Sequence, residues 1–448
     1  MGRLQQTVWG VPWAIWLLVL GALLLRLLAL WVIDGPDLVS ASESGITAQN
    51  WVSGRGYTFD LYGYRVEQPL RAFMPPLFTA LVALCLLTPW PATVFGLVQV
   101  LLSGLTVLLV YLIAERLAGS RAAMVAALLT AVYPPFLVLA DQPTVPVLNT
   151  FLLGLWLYCS LRLLESREEG WAALVGMVLG LGVLSRPAFI GLLVVVLLTL
   201  CLHHRKGVKR WWRLAMVVVG IMGLTVSPWV IRNGRILGRF TTISSNGGFN
   251  AWIGNNPFTT GSCFDVFVPR LEAYSGEVVS AAADLSVVEV KPYPLPLELR
   301  QTVEELGELE LDSAFYRAAF SFIREDPGRW LGLLGKKLLS LWWFRQNVGR
   351  SSGFYEEAWI LPYKILYLAM LILAVAGIVL SVRHWRRYLL LYGMFIYLSV
   401  AYLTYHVITR YRWEMEPYLL IFTALAVVWV VDRGYDWVQR HRTWSAPA

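Results

Sequence analysis

Charge is scarce in this sequence. Asp, Glu, Lys and Arg make up 15% of its 448 residues, where a soluble domain carries about 25%. That shortage excludes a fold with water on every side. Cysteine is scarce too, at four. Cys85, Cys159 and Cys201 lie in apolar stretches and Cys263 stands alone in a polar loop, so no disulfide framework is expected. There is no Walker loop, no dinucleotide fingerprint in the right context, and no His/Cys cluster at zinc spacing. Those absences remove the common nucleotide- and zinc-dependent enzyme classes. His203-His204 sits in a basic turn and reads as solvated surface. No solenoid repeat or low-complexity tract is found. The N-terminus lacks a small-residue cleavage site, so its first apolar run is expected to stay as a span.

What is present is hydrophobic: 57% of residues, with 21 Trp and 20 Tyr and a mean hydropathy of +0.60. Apolar runs near the length needed for a hydrocarbon core of about 30 Å alternate with short basic clusters. Many aromatics sit at the ends of these runs, as interfacial belts do. The net charge of +8 resides in short loops, the positive-inside pattern, and gives no reason to invoke nucleic acid.

The expected fold is an all-α polytopic membrane protein of about ten spans with external loop helices. The spans are Val11–Ile33, Val94–Ile113, Ala122–Leu139, Val147–Leu164, Trp171–Leu184, Ile190–Leu202, Leu214–Val230, Leu361–Val382, Leu389–Tyr405 and Tyr418–Val431. The run Met74–Thr88, bounded by Pro75-Pro76 and Pro89-Trp90-Pro91, is short for a crossing and reads as interfacial or re-entrant. With that reading the basic loops share one side, taken as cytoplasmic. The organisation is then an N-terminal membrane module (1–232) with a first external loop (34–73), an external region (233–360), and C-terminal spans with a cytoplasmic tail (361–448). Within the external region, Asp326-Pro327-Gly328 breaks a helical stretch. Trp330 to Trp343 reads as an amphipathic helix lying on the membrane.

Ionisable residues gather on the external side: Asp37, Glu43, Glu67, Arg71, Asp141, Arg186, Arg232, His406, Arg410 and Arg412. Each alone could anchor a helix end. Together they suit a phosphate-bearing lipid. Span centres are mostly apolar, Arg26 being the clearest exception and left without a role. A site at one face favours group transfer over translocation.

Four stretches carry a resemblance. They are Glu43-Ser44 with Ala48-Gln49-Asn50-Trp51 and Gly54-Arg55-Gly56-Tyr57; Arg71 to Leu77 with Pro75-Pro76-Leu77; Ser227-Pro228-Trp229 through Asn233, followed by Asn246-Gly247-Gly248 and Trp252 to Pro257; and Arg410-Tyr411-Arg412 with Pro417. Their order resembles the GT-C superfamily of membrane glycosyltransferases, in the branch of protein O-mannosyltransferases and the aminoarabinose transferase of lipid A. The resemblance implies a GT-C helical bundle in a bacterial inner membrane with its active site facing outward. It implies transfer of a sugar, with inversion, from a polyprenyl-phosphate carrier to a lipid, glycan or protein acceptor. The family's catalytic aspartate would fall near Ser40, which cannot serve as base, so the role passes to Glu43. Asp141 would complete the site, holding the acceptor or a divalent cation, Mg or Mn. Arg71, Arg232, Arg410 and Arg412 would meet the carrier phosphate, with Asp37, Glu67 and His406 nearby. The alternative is an inactive GT-C-like protein serving as lipid-binding partner, scaffold or transporter.

Overall fold

The computed structural model describes residues 7–8, 11–32, 38, 42–60, 69–138, 144–203, 208–239, 243–257, 259, 261, 306–344 and 357–442. It is helical almost throughout; the one regular strand pairing among the described residues joins Thr7–Val8 to Val11–Pro12. The long helices are α1 (Trp13–Val32), α4 (Pro91–Ala118), α7 (Pro146–Ser166), α10 (Val208–Leu237), α14 (Glu357–Ser381), α15 (Trp385–Leu403) and α17 (Glu416–Arg442). Shorter apolar helices are α3 (Pro76–Leu86), α5 (Ser120–Val132), α8 (Glu169–Ser185) and α9 (Leu192–His203). The polar ends carry α2 (Glu43–Val52), α6 (Pro134–Val138), α11 (Gly247–Gly254), α12 (Glu308–Glu325), α13 (Pro327–Trp342) and α16 (Arg410–Trp413).

The described part of each expected span is largely helical, but among the described residues only six stretches are long and apolar enough to cross a membrane. One of them, Leu361–Leu403, contains both α14 and α15. Four apolar helices are shorter; the 13 residues of α5 rise only about 20 Å, so helix length alone does not give ten crossings. The 11-residue α3 spans about 16 Å and fits the non-crossing reading of Met74–Thr88.

The helix α7 is the centre of the bundle, with 72% of its most apolar window buried, and α10 is peripheral at 17%. Leu224, Met216 and Val219 on α10 are exposed and face where lipid would lie. Small residues let helices approach: a Cβ at Gly176 of α8 would meet the Val218 carbonyl at 2.5 Å. Pro228 interrupts α10 and cannot donate to the Leu224 carbonyl four residues back. The Ser227 hydroxyl donates to that carbonyl instead, at 3.0 Å.

The intramembrane Arg26 is fully buried. Its guanidinium donates to Ser103 Oγ (2.5 Å), to the Ala22 and Ala131 carbonyls (3.0 Å each) and to Thr130 O (3.3 Å). It thus caps the C-terminal end of α5, whose last carbonyls have no helical partner.

Interactions sort the loops into two ends. At one, Arg121 pairs with Asp432 (2.6 Å), Arg213 with Glu169 (2.5 Å) and Arg116 with Glu165 (3.5 Å). Arg387 donates to Arg116 O there (2.9 Å). At the other end Arg186 pairs with Glu414, and Asn255 and Gly261, beyond α10, bond to Thr404 and Val407.

Candidate functional site

The first loop is set by its glycines and caps. Ser42 Oγ accepts from the Gly45 N–H (3.1 Å) and opens α2; Glu43 is its first residue. After α2, Gly54 and Gly56 both take φ +81°, a conformation only glycine adopts without cost. That turn delivers Tyr57 to the core. Its hydroxyl donates to the Met74 and Pro75 carbonyls (2.9 and 3.2 Å).

Residues 70–75 form a platform whose backbone is held on every side. Leu70 exchanges hydrogen bonds with Phe59 (2.8 and 2.9 Å), and Ser245 N–H donates to Ala72 O (2.9 Å). The Arg71 and Ala72 N–H groups donate to Glu308 (2.6 and 2.8 Å). Arg232 Nη1 donates to Arg71 O (2.7 Å), and its guanidinium lies over Trp229 (4.5 Å) and Tyr57 (5.2 Å). Arg71 and Arg232, far apart in sequence, are thereby neighbours.

The helix α11 carries this platform into a second cluster. At its start Gly248 N–H donates to Asp312 Oδ1 (2.6 Å). A Cβ on Gly248 would stand 2.0 Å from Asp312 O, so a larger residue would push α11 off α12. Burial, with Glu308 adding a smaller push, raises Asp312 to about 6 against the pull of the Gly248 N–H. At the other end Asn255 Oδ1 accepts from Lys337 Nζ (2.9 Å), which also donates to Leu403 O (3.0 Å). Lys337 is fully buried, and burial brings it down to about 7. His406 is buried beside it, Nε2 within 2.9 Å of Tyr411 OH. Burial, then the charges of Arg410, Lys337 and Arg186, hold His406 at about 3, so it is neutral at physiological pH. Arg186 pairs with Glu414 (3.0 Å), and Glu414 is further held by Asn149 (3.0 Å) and Tyr402 OH (3.0 Å).

Of the residues singled out from sequence, Arg71 and Arg232 come together, and Arg410 and His406 come together at the opposite end of α11. Glu43 is half-buried at the start of α2, which packs on α3. Arg412 stands apart. It is fully buried, paired with Glu416 (2.8 Å), donating to Trp343 O (2.8 Å) and stacked on Tyr367 (4.1 Å) and Phe344 (4.7 Å). It caps α13, and its charge is spent inside the protein. Asp37, Glu67 and Asp141 lie outside the described residues. No group of three or more His, Cys, Asp or Glu side chains among the described residues could hold a metal.

Sequence reasoning passed over Glu308, Asp312, Lys337 and Glu414 as site residues. Glu308 and Asp312 stand four apart, so they share a helix face, and that spacing was a usable signal. Glu414, a carboxylate at the start of an apolar run, was another.

The architecture is that of a multi-pass helical membrane protein with a cationic polar end, and its fold is similar to that of known membrane glycosyltransferases. Residues 70–231 match the dolichyl-phosphate-mannose-protein mannosyltransferase family, a stretch that includes Arg71 and ends one residue before Arg232. The apo oligosaccharyltransferase of Archaeoglobus fulgidus superposes with a TM-score of 0.53 at 16% identity, over 97% of this chain and 52% of that one. The same archaeal enzyme, AglB, in complex with an inhibitory peptide and a dolichol-phosphate gives 0.52 at 15% identity, over 97% and 52%. This chain therefore spans about half the length of that enzyme. ArnT from Cupriavidus metallidurans bound to undecaprenyl phosphate aligns over 92% of this chain and 77% of its own at 18% identity, with a TM-score of only 0.42. No curated protein matches the sequence.

Proposed function

We propose that this protein moves a sugar from a polyprenyl-phosphate carrier to a lipid, glycan or protein acceptor on the outer face of a bacterial inner membrane. The observation that carries the reading is the Arg71–Arg232 pair: Arg71 lies in the segment that matches a mannosyltransferase family, and Arg232, one residue beyond its end, donates to the Arg71 carbonyl. Arginine suits this place because its fork makes charge-assisted hydrogen bonds to phosphate oxygens.

In the proposed step an acceptor oxygen attacks the anomeric carbon from the face opposite the phosphate. The carbon–oxygen bond to phosphate breaks, polyprenyl phosphate leaves with the electron pair, and the anomeric centre inverts. Glu43 takes the acceptor proton. Arg71 and Arg232 stabilise the charge that grows on the leaving phosphate. Arg410, with neutral His406 beside it, offers a further cation at the other end of α11. Arg412, buried and paired with Glu416, is left out of phosphate contact. Asp141, with Mg or Mn, belongs to the same proposal as an acceptor-side group, and no step depends on it.

Two measurements test the reading. Full-length protein in nanodiscs, given a polyprenyl-phosphate sugar and a mixed envelope extract, should release polyprenyl phosphate, and Arg232→Met should slow that release. Equal release without protein would end the proposal. For orientation, Ser321→Cys on α12 should react with an impermeant thiol reagent from outside, and Glu168→Cys from the cytoplasm. The reverse pattern would invert the assignment.

A further inference from the structure

We propose that Glu308 is a positioning residue: its carboxylate fixes the Arg71–Ala72 backbone so that the Arg71 guanidinium stands beside Arg232 as an anion-binding pair. The proposal rests on the carrier-phosphate reading above and deepens it by naming what builds the phosphate platform.

Glu308 reaches the platform from 237 residues away in the chain. Oε2 accepts from the Arg71 N–H (2.6 Å). Oε1 accepts from the Ala72 N–H (2.8 Å) and from Ser245 Oγ (2.5 Å). One side chain thus joins three separate pieces of chain: the first loop, the stretch after α10, and the start of α12. Two consecutive N–H groups on one carboxylate fix the plane between them. Arg232 fixes the same residue from its carbonyl side (2.7 Å). Among the described residues the exposed Arg71 guanidinium takes no hydrogen bond or ion pair.

A cation that takes no partner among the described residues, on a backbone pinned from both sides, has its main chain preorganised. A ligand anion then meets it without ordering the loop, a cost that otherwise subtracts from affinity. Glu308 is poorly placed to act as a base itself, because both oxygens already accept from strong donors. Its neighbour Glu310 provides a contrast on the same helix turn: it is exposed and paired with Arg239 (3.2 Å), away from the platform.

The test uses the full chain in nanodiscs with undecaprenyl phosphate as the probe. Two quantities are read: its Kd, and hydrogen–deuterium exchange of the peptide covering 69–75. Glu308→Gln keeps the shape but turns one acceptor into a donor. It should speed exchange at Arg71 and Ala72 and raise Kd roughly tenfold, the loss expected for a charged-group hydrogen bond. Glu310→Gln should change neither. If Glu308→Gln does not fold, Ser245→Ala withdraws one of the three donors and should move both readings in the same direction by about two- to threefold. Faster exchange with unchanged Kd makes Glu308 merely structural and overturns the proposal, and so does unchanged exchange. The two possible failures are separable. A wild-type protein that does not bind undecaprenyl phosphate ends the carrier reading and this inference with it. A wild type that binds and a Glu308→Gln variant that binds equally well ends only the positioning role.

Discussion

The two ends of this bundle handle charge in opposite ways. At the end with short loops, ions pair on the surface: Arg121 and Asp432 are 65% and 48% exposed. At the other end the exposed pair Arg239–Glu310 is joined by buried ones: Arg186 and Glu414 are 18% and 1% exposed, and Arg412 and Glu416 are fully buried. Exposed pairs contribute roughly 0–1 kcal/mol. A buried pair that loses one partner costs about 3–5 kcal/mol. Buried ionisable groups in a membrane protein are costly to hold, which is why the buried end is where a function should be sought.

The sharpest way to break this contrast is at Glu43. If the buried end is catalytic, Glu43→Gln should lower sugar transfer about 10²–10⁴-fold while leaving undecaprenyl phosphate binding nearly intact. Full activity would move the base elsewhere, Asp312 being a described candidate at that end. The next effect is on stability. Glu414→Gln, which strands Arg186, should cost about 3–5 kcal/mol in chemical unfolding, and Arg121→Ala at the other end no more than about 1 kcal/mol. Equal costs would mean that the two ends do not differ as described. A smaller effect is expected for Arg232→Met, which should weaken undecaprenyl phosphate about tenfold or somewhat more. Arg386→Met at the opposite end should leave that affinity unchanged.

The smallest effect is a pH dependence at Lys337. Its folded value, about 7, lies below the ordinary 10.5. Between those values the unfolded chain holds a proton that the folded chain has lost, so stability rises with pH across that window. Below about 7 the folded chain carries the buried charge at full cost. Lys337→Met removes that cost but leaves Asn255 Oδ1 and Leu403 O unpaired. The variant should therefore compare best with wild type near pH 7 and fall behind as pH approaches 10. Unfolding midpoints at the two pH values measure this, and a difference that does not change would mean that Lys337 is solvated.

The helices were legible because their signal is local and strong: a run of apolar side chains with basic flanks. The short α3 was legible for the same reason, from proline pairs bracketing too few residues to cross. The proline break at Asp326-Pro327 was equally plain. There Asp326 accepts the Arg329 N–H (2.9 Å) and starts α13. The site was legible only in part. Arg71 and Arg232 were chosen as cations beside span ends, which any helix anchor also is. Arg412 looked the same in sequence, and its burial against Phe344, Tyr367 and Glu416 could not be read from its neighbours.

Composition and periodicity alone determined that the chain is a membrane helical protein, since neither charge nor length permits anything else for those runs. They also determined where most of the long helices begin and end. Only the tertiary structure decided which arginines are spent inside the protein and which, among the described residues, keep an exposed guanidinium. The reason is that a guanidinium's availability depends on partners hundreds of residues away. Glu416 neutralises Arg412 from the next helical turn, but the Trp343 carbonyl that fixes it comes from 69 residues back. Glu308 reaches Arg71 across 237, a separation over which no local pattern carries information.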